Sequence, residues 1–293
     1  MSPFKALCFG IQLCSAAALV TNASATTTYS EAYSAVAGYP IDFHSETSGV
    51  DGTSASAGHA LDGASVSSSS TSSPGVLHVQ SSSRVSAPTT ANGSARADWS
   101  GSFFFSSPGY SSSSTGTFTG SVAIGGGLQA EYVGQGVAQS AVVANVSIGP
   151  NTGYNGGGVS LQGGGRRTAG ASYGNVLEGL ESFTLNFTDV PFTFGRPIDV
   201  YLRIEVTSMA TTGIGTAISS SNYGNSMTWQ GITAVHDQSG LALTNFSAID
   251  PESGFNFASP VPEPETGILM CIGIAAIFVA RRRQAAAATR ALG

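Results

Sequence analysis

The residues whose types and spacing could do chemistry are few, and the first group is a GxSxG pattern at Gly170–Gly174. Ser172 is the serine of this pattern. A nucleophilic serine in such an elbow follows a core strand and precedes a helix. The stretch before it contains Gly163–Gly165 and two arginines, which is unsuited to a core strand. We therefore interpret the pattern as a chance match in a chain with 38 glycines.

The four histidines do not form a pattern typical of a metal or catalytic site. They are His44, His59, His78 and His236, and none belongs to an HExxH motif or to an i, i+4 pair. Isolated histidines in β-proteins are usually turn or surface residues, and His236 stands directly before the turn residue Asp237. We predict neither a metal site nor another cofactor.

Paired carboxylates are the remaining catalytic option, because glycosidases use two of them. Glu178 and Glu181 are three residues apart, and Glu205 faces outward on a predicted strand. Sugar-binding clefts are rich in tryptophan and tyrosine, whereas this chain has only two tryptophans, Trp99 and Trp229. We therefore predict that the protein is not an enzyme. A secreted hydrolase is a less favoured alternative, which requires two carboxylates roughly 5–10 Å apart in a cleft.

Low charge, an acidic balance and the cysteine positions exclude several classes of function. Charged residues make up 10% of the chain, against about a quarter in a typical soluble protein. Residues 26–260 contain 15 acidic residues and 6 arginines, and the only lysine is Lys5, so no nucleic-acid-binding surface is predicted. Cys8, Cys14 and Cys271 lie in the two hydrophobic ends, so the middle of the chain has no disulfide or thiolate cluster.

The N-terminal segment has the features of a secretory signal peptide. Lys5 gives a positive start, and Ala6–Val20 forms an apolar run. Ala23 and Ala25 provide the small residues of a cleavage site. Cleavage after Ala25 defines a signal peptide of residues 1–25.

That cleavage would make Thr26 the first residue of the exported chain. An uncleaved anchor helix is the alternative, although the apolar run is short for a membrane span. Lipid attachment at Cys14 is not predicted, because Leu13 stands where a lipobox needs a small side chain.

The C-terminal segment combines helix-breaking residues, a short apolar run and a basic cluster. Pro262 and Pro264 oppose a helix, whereas Gly267–Ala280 is mostly apolar over 14 residues. A helix of that length spans about 21 Å, which is shorter than the roughly 30 Å hydrocarbon core of a bilayer. The basic residues that follow hold the C-terminus in the cytoplasm, and they are Arg281, Arg282 and Arg283. The segment is therefore predicted to be a temporary membrane stop.

The order of these features resembles the PEP-CTERM sorting domain. The matching residues are Val261, Pro262, Glu263, Pro264 and Thr266, followed by the apolar run and the arginines. The resemblance implies a Gram-negative bacterium that secretes exopolysaccharide. It also implies that an exosortase, a membrane-embedded cysteine protease, recognises the motif, removes the helix and basic tail, and passes the protein from the inner membrane to the surface. The tail comprises residues 259–293.

Two other interpretations of the tail are less favoured. Pro264-Glu265-Thr266-Gly267 contains most of the LPxTG signal of Gram-positive sortases, but Glu263 stands where that signal has leucine. Placing a carboxylate in an apolar subsite has a desolvation penalty on the order of several kcal/mol. The other alternative is an ordinary single-span membrane protein.

Residues 26–258 are predicted to form one all-β domain. Along Ile198–Thr207, apolar and polar residues alternate, which is the pattern of a half-buried antiparallel strand. Phe183–Thr188 alternates in the same way. Further strands are predicted at Val76–Gln80, Asp98–Phe105, Gly116–Ile124, Ala141–Ile148, Met227–Val235 and Leu241–Phe246.

Turn residues separate these strands. Turns are predicted at Asn92-Gly93, Pro150-Asn151, Asn155 and Asp237–Gly240, the last of which joins a hairpin. Many short strands with polar turns predict an antiparallel β-sandwich of jelly-roll type. For residues 45–115, which are rich in serine and threonine, a partly disordered low-complexity segment is the alternative.

The end of the domain resembles the last part of other exported PEP-CTERM precursors. This second resemblance implies no known activity. The matching residues are Phe194-Gly195, Trp229-Gln230-Gly231-Ile232, Asp237–Gly240 and Ser253-Gly254-Phe255.

Together these features favour an exported surface or exopolysaccharide-matrix protein with a structural or adhesive role. Polar serine, threonine and asparagine surfaces would make many weak contacts with glycans or with other matrix proteins. The alternative is a carbohydrate-binding module with one defined groove. An aromatic platform formed by exposed Trp99, Tyr201 or Trp229 would favour that module, whereas burial of these rings would favour the structural role.

Overall fold

The computed structural model describes residues 26–150, 159–161, 167–172, 176–180 and 182–261. Within these ranges the chain forms fourteen β-strands and no α-helix, which confirms the predicted all-β class. The predicted signal helix and the predicted membrane helix lie outside the described residues. The described residues contain no helix that could span a membrane.

The strands differ widely in length, and the two longest, β8 and β13, pair with each other. In chain order they are β1 (Thr27–Val36), β2 (Asp42–Ser48), β3 (Thr53–Leu61), β4 (Ala64–Ser73), β5 (Val76–Val85), β6 (Thr89–Ser106), β7 (Thr115–Ile124), β8 (Gly127–Pro150), β9 (Val159–Leu161), β10 (Arg167–Ser172), β11 (Val176–Leu180), β12 (Phe183–Thr193), β13 (Pro197–Asp237) and β14 (Ser247–Ile249).

The strands form one hydrogen-bonded sheet in which the pairings are antiparallel. Its main path has the order β2-β1-β6-β13-β5-β4-β3. Away from this path, β7 pairs with β12 and β13, and β14 pairs with β6. β8 pairs with β13 and with the short strands β9, β10 and β11.

β13 changes partners along its length and so joins the different parts of the sheet. Pro197–Thr212 pairs with β6, Ala217–Thr228 pairs with β5, and Met227–Asp237 pairs with β7, whereas β8 pairs with Ile198–Asn222. Between Thr212 and Ile214 the register with β8 shifts, and Gly215 (φ 121°) faces Gly134 (φ 103°) on β8. A side chain on Gly215 would collide with the backbone of β8, so this bulge requires glycine.

The sheet folds over on itself, so that β4 lies across β1 and β6 without pairing with them. The hydroxyl of Ser70 on β4 donates to the carbonyl oxygen of Glu31 on β1 at 2.9 Å. The hydroxyl of Ser72 donates to the carbonyl oxygen of Asp98 on β6 at 2.5 Å. This layered arrangement is compatible with the predicted sandwich, and the jelly-roll path stays a prediction.

Large aromatic rings fill one part of the interior. The ring centre of Phe257 lies 4.5 Å from that of Phe103 and 5.4 Å from that of Trp99. Phe105 and Phe118 continue the cluster, with ring centres 5.2 Å apart. All five side chains are fully buried. Because aromatic rings bury the most apolar area per residue, this part of the core contributes most of the hydrophobic stabilisation.

Serine fills another part of the interior, where the layers come close together. Ser68, Ser81, Ser83 and Ser208 are each at most 3% exposed. The hydroxyl of Ser81 is 3.0 Å from that of Ser68 and 2.7 Å from that of Ser208, and Ser83 is 2.9 Å from Ser208. These bonds offset the penalty of burying the hydroxyls. Residues 45–115 therefore contain paired strands, and the low-complexity alternative is wrong.

The turn predicted at Asn92-Gly93 is wrong, because both residues lie inside β6. Gly93 faces the buried serines instead. A Cβ atom on Gly93 would be 2.6 Å from the Ser68 hydroxyl and still closer to the Ser81 hydroxyl. The glycine therefore allows two layers to approach closely, which is the other common role of glycine in a strand.

Seven of the eight predicted strands coincide with observed ones, and the exception is Leu241–Phe246. The turn at Asp237–Gly240 is present, and the N–H of Leu243 donates to the carbonyl oxygen of Val235 at 2.8 Å. Beyond it the returning segment forms only an isolated bridge at Ala242. Leu241 is 64% exposed, so no buried face supports a longer strand there.

We expect Gly93→Ala to lower the free energy of unfolding by about 1–3 kcal/mol, because the added methyl group overpacks the space between Ser68 and Ser81. Urea unfolding followed by tryptophan fluorescence measures the change. The control is Ser94→Ala at the next, half-buried position of β6, which we expect to shift stability by less than about 0.5 kcal/mol. Equal stability of Gly93→Ala and the wild type would contradict the close packing.

Candidate functional site

The sorting motif begins where the described part of the chain ends. Of the residues predicted for the motif, Val261 is within the described part. The other predicted site residues lie outside it, and they are Pro262, Glu263, Pro264, Thr266, Arg281, Arg282 and Arg283, together with the signal-cleavage residues Ala23 and Ala25.

Val261 is hydrogen-bonded to the domain. Its N–H donates to the carbonyl oxygen of Trp229 at 3.0 Å. Just before it, Ser259 and Pro260 pass so close to Gly231 that a Cβ atom there would be 2.9 Å from the Pro260 nitrogen. Gly231 has φ of 88°, a left-handed conformation that glycine adopts without strain. Glycine at this position therefore lets the chain leave along the surface of β13.

The segment that leads to Val261 is part of the hydrophobic core. The indole N–H of Trp229 donates to the carbonyl oxygen of Phe257 at 2.8 Å. The N–H of Phe257 donates to the carbonyl oxygen of Ala248 at 2.8 Å. The ring centre of Phe255 lies 5.1 Å from that of Trp99 and 4.8 Å from that of Phe257. The packed structure thus continues to Val261, directly before Pro262.

Sequence reasoning gave no function to the residues that anchor this segment. Trp229, Gly231 and Phe255 are nevertheless in the stretches that resemble other PEP-CTERM precursors. That resemblance was the available signal. The resemblance could not show that Trp229 and Gly231 contact the short segment that follows Phe255.

A charged cluster lies on the outward face of β6 and β13. The Nε of Arg96 donates to both carboxylate oxygens of Asp98, at 3.0 and 2.9 Å. On β13, Nη2 of Arg203 donates to Glu205 at 2.6 Å, and its Nε lies 4.0 Å from Asp98. Glu205, one of the carboxylates considered for glycoside hydrolysis, is therefore held in an ion pair.

The pKa values in this cluster, and of Tyr29 on β1, whose ring centre is 5.2 Å from the Arg96 guanidinium carbon, move away from neutrality. Burial, followed by the hydrogen bond to Glu31, raises the pKa of Tyr29 to about 12. The hydrogen bond to Asp98 raises the pKa of Arg96. Burial and the charge of Asp98 also raise the pKa of Tyr201. These three groups therefore keep one protonation state around neutral pH.

Neither tryptophan is exposed, as an aromatic platform would require. Trp99 and Trp229 are 0% exposed and belong to the core, and Tyr201 is half-buried beside the charged cluster. A ring must present one face to solvent to stack on a sugar. The two tryptophans therefore do not form an aromatic platform.

An open cavity of about 740 Å³ lies beside the Asp237–Gly240 turn. Asp189, His236 and Gln238 contribute polar groups to its wall. Phe192 also lines it but is only 3% exposed. The cavity therefore presents little aromatic surface for stacking.

The remaining catalytic candidates do not come together in the described part of the chain. Ser172 is the last residue of β10, Glu178 lies in β11, and Glu181 is outside the described residues. His44 is 3.1 Å from Asp42, which makes a surface pair. Over the described ranges, no three His, Cys, Asp or Glu side chains are grouped so as to hold a metal ion.

Comparison with family models identifies the tail. The model described as the PEP-CTERM protein-sorting motif matches residues 260–284. The chain carries a PEP-CTERM sorting motif. The match confirms the resemblance at Val261–Arg283 and implies export towards the cell surface through membrane anchoring, with an exosortase as processing partner. No curated protein and no solved structure matches the chain.

Asp237 should make stability dependent on pH under acidic conditions. Hydrogen bonds from the Ser239 hydroxyl and the Leu241 N–H lower the pKa of Asp237 from 3.8 to about 2. A lowered pKa means that the ionised carboxylate stabilises the folded chain above about pH 4, and that this contribution is lost as the pH falls towards 2. Urea midpoints measured across this range should fall less steeply in Asp237→Asn. Gln238→Ala, in the same turn, should keep the wild-type profile, and identical profiles for wild type and Asp237→Asn would contradict the assignment.

Proposed function

We propose that this is an exported, non-catalytic protein of the cell surface or exopolysaccharide matrix of a Gram-negative bacterium. A signal peptide directs the chain across the inner membrane, where the sorting tail stops it temporarily. An exosortase then removes the apolar helix and the arginine cluster. The β-domain, a sandwich of jelly-roll type, reaches the surface and has a structural or adhesive role there.

The observation that carries this proposal is the place of the sorting motif. The matched residues 260–284 begin with Pro260 and Val261, which are the last residues described on the domain. Val261 is fixed to Trp229, so the recognition segment starts at a defined point on the domain. A protease in the membrane would meet the motif directly beside a folded domain rather than at the end of a long linker.

Exposed hydroxyl groups support the adhesive role. On β4, Ser65, Ser67 and Thr71 point outward, and Ser82 on β5 lies beside Ser67 with the two hydroxyls 2.8 Å apart. Such rows of hydroxyls can exchange hydrogen bonds with polysaccharide at many points. Each bond adds only about 0.5–1.5 kcal/mol, so adhesion of this kind depends on the number of contacts.

Replacing Pro262, Glu263 and Pro264 together by alanine should leave the full chain in the inner membrane, because the exosortase would no longer recognise it. Mass spectrometry of the mature C-terminus in membrane, surface and medium fractions gives the result. The wild type should acquire a new C-terminus near residues 262–266. Glu265→Gln, which removes a neighbouring carboxylate outside the motif, should be processed normally. A wild-type chain that still ends at Gly293 in the inner membrane would overturn the proposal.

The cavity beside Asp237 is the one observation that favours the alternative, a carbohydrate-binding module. Calorimetric titration with oligosaccharides from the producing strain's exopolysaccharide tests it. If the module exists, Asp189→Asn should weaken binding by roughly tenfold, since hydrogen bonds to charged groups contribute about 1.5–3 kcal/mol. Asp42→Asn on the distant strand β2 is the matched control. Lack of saturable binding would leave the structural role as the better proposal.

A further inference from the structure

We propose that Asp250 and Glu252 form a receptor site for the α-ammonium group of Thr26, which exists only after the signal peptide is removed. Processing at the N-terminus would then stabilise the segment that presents the C-terminal sorting motif. The inference rests on the proposed export and on cleavage between Ala25 and Thr26. It assigns these two carboxylates a role that the sorting function alone does not require.

Thr26 is already seated on this site. It is 2% exposed, and its backbone nitrogen donates to Oε2 of Glu252 at 2.8 Å. Its hydroxyl donates to Oδ2 of Asp250. The first residues of β1 are also fixed, since the hydroxyl of Thr28 donates to the carbonyl oxygen of Asp51 at 2.7 Å. The nitrogen that cleavage would free is therefore held beside two carboxylates.

Within the described residues, the site has no cationic side chain paired with its carboxylates. Asp250 is 1% exposed and accepts hydrogen bonds from the Glu252 N–H at 2.9 Å and the Ser253 hydroxyl at 2.6 Å. Among the ion pairs of the described residues, none joins Asp250 or Glu252 to an arginine or histidine. A buried carboxylate is costly without a counter-charge. An ammonium group on Thr26 would supply it.

Cleavage creates that ammonium group by simple hydrolysis. Water adds its hydroxyl to the carbonyl carbon of Ala25 and a proton to the nitrogen of Thr26 as the peptide bond breaks. The new carboxyl group of Ala25 loses a proton, and the new amine gains one near neutral pH. The nitrogen changes from a single N–H donor into a cation with three donors, so it can bond to Glu252 and interact with Asp250 together.

The receptor site belongs to the segment that presents the sorting motif. Asp250 begins a turn in which the N–H of Gly254 donates to its carbonyl oxygen at 2.9 Å, and its own N–H donates to the carbonyl oxygen of Phe255 at 2.9 Å. Phe255 packs on Trp99, as described above. A cation that stabilises this turn therefore also stabilises the packing of the residues that lead to Val261.

A double-mutant cycle on the exported full chain tests the inference. One glycine is inserted between Ala25 and Thr26, which moves the ammonium group by one residue but keeps the Ala-x-Ala cleavage site. The insertion is made in the wild type and in Asp250→Asn/Glu252→Gln, with Glu252→Gln alone as a milder second background. N-terminal sequencing identifies the first residue of each purified chain, and urea unfolding measures its stability.

We expect the wild-type chain to begin at Thr26, and the insertion to raise its unfolding equilibrium constant about threefold or more, since Glu252 is exposed. The same insertion in Asp250→Asn/Glu252→Gln should change that constant by less than about twofold. If the wild-type chain begins at Thr26 but the insertion changes stability equally in both backgrounds, the receptor site is overturned and the proposed export is left intact. If the wild-type chain began at a residue other than Thr26, the receptor site and the cleavage assignment would both be overturned. If the wild-type chain were not exported at all, the proposed function would be overturned.

Discussion

The hydrogen bonds of Trp229 hold the end of the domain to its sheet. Its indole N–H donates to Phe257, its backbone carbonyl accepts from Val261, and its backbone N–H donates to the carbonyl oxygen of Gly75 at 2.9 Å. Trp229 is fully buried, so water does not compete for these bonds. One residue of β13 therefore joins the turn between β4 and β5, the aromatic core and the segment that enters the sorting motif.

The two parts of the interior differ in the way they contribute to stability. Around Phe103 and Phe257, the rings bury large apolar areas and provide most of the hydrophobic free energy. Around Ser81 and Ser208, the side chains are small, and the layers are held by hydroxyl bonds and close backbone approach. The middle of the chain has no cysteine to add a covalent link. Stability is therefore concentrated at the aromatic part, which is also where the tail is attached.

The sequence predicted those features that depend on local pattern. The alternation along Ile198–Thr207 identified a strand and its buried face, because successive side chains point to opposite sides of a sheet. The sorting motif was recognisable for a similar reason, since its residues are contiguous.

Features that depend on distant partners could not be predicted. A serine tract by itself is compatible with disorder. Its order here depends on contacts such as the hydrogen bond between Ser81 and Ser208, which are 127 residues apart. Gly93 and a turn glycine look the same in sequence, and only the facing serines distinguish them. The sequence contains two tryptophans, but the burial of both is evident only from the structure. The contact between Thr26 and Glu252 joins residues 226 positions apart, and no local pattern indicates it.

The burial of Thr26 has a further chemical consequence. Lys5 is the only lysine of the chain, so a chain that begins at Thr26 contains a single primary amine, its own terminus. In the uncleaved chain that nitrogen donates to Glu252, and Thr26 is 2% exposed. Reducing sugars attach to proteins by forming imines with accessible amines. Under the proposed cleavage, the chain would thus offer one amine to such sugars, and the bond to Glu252 would compete with their reaction.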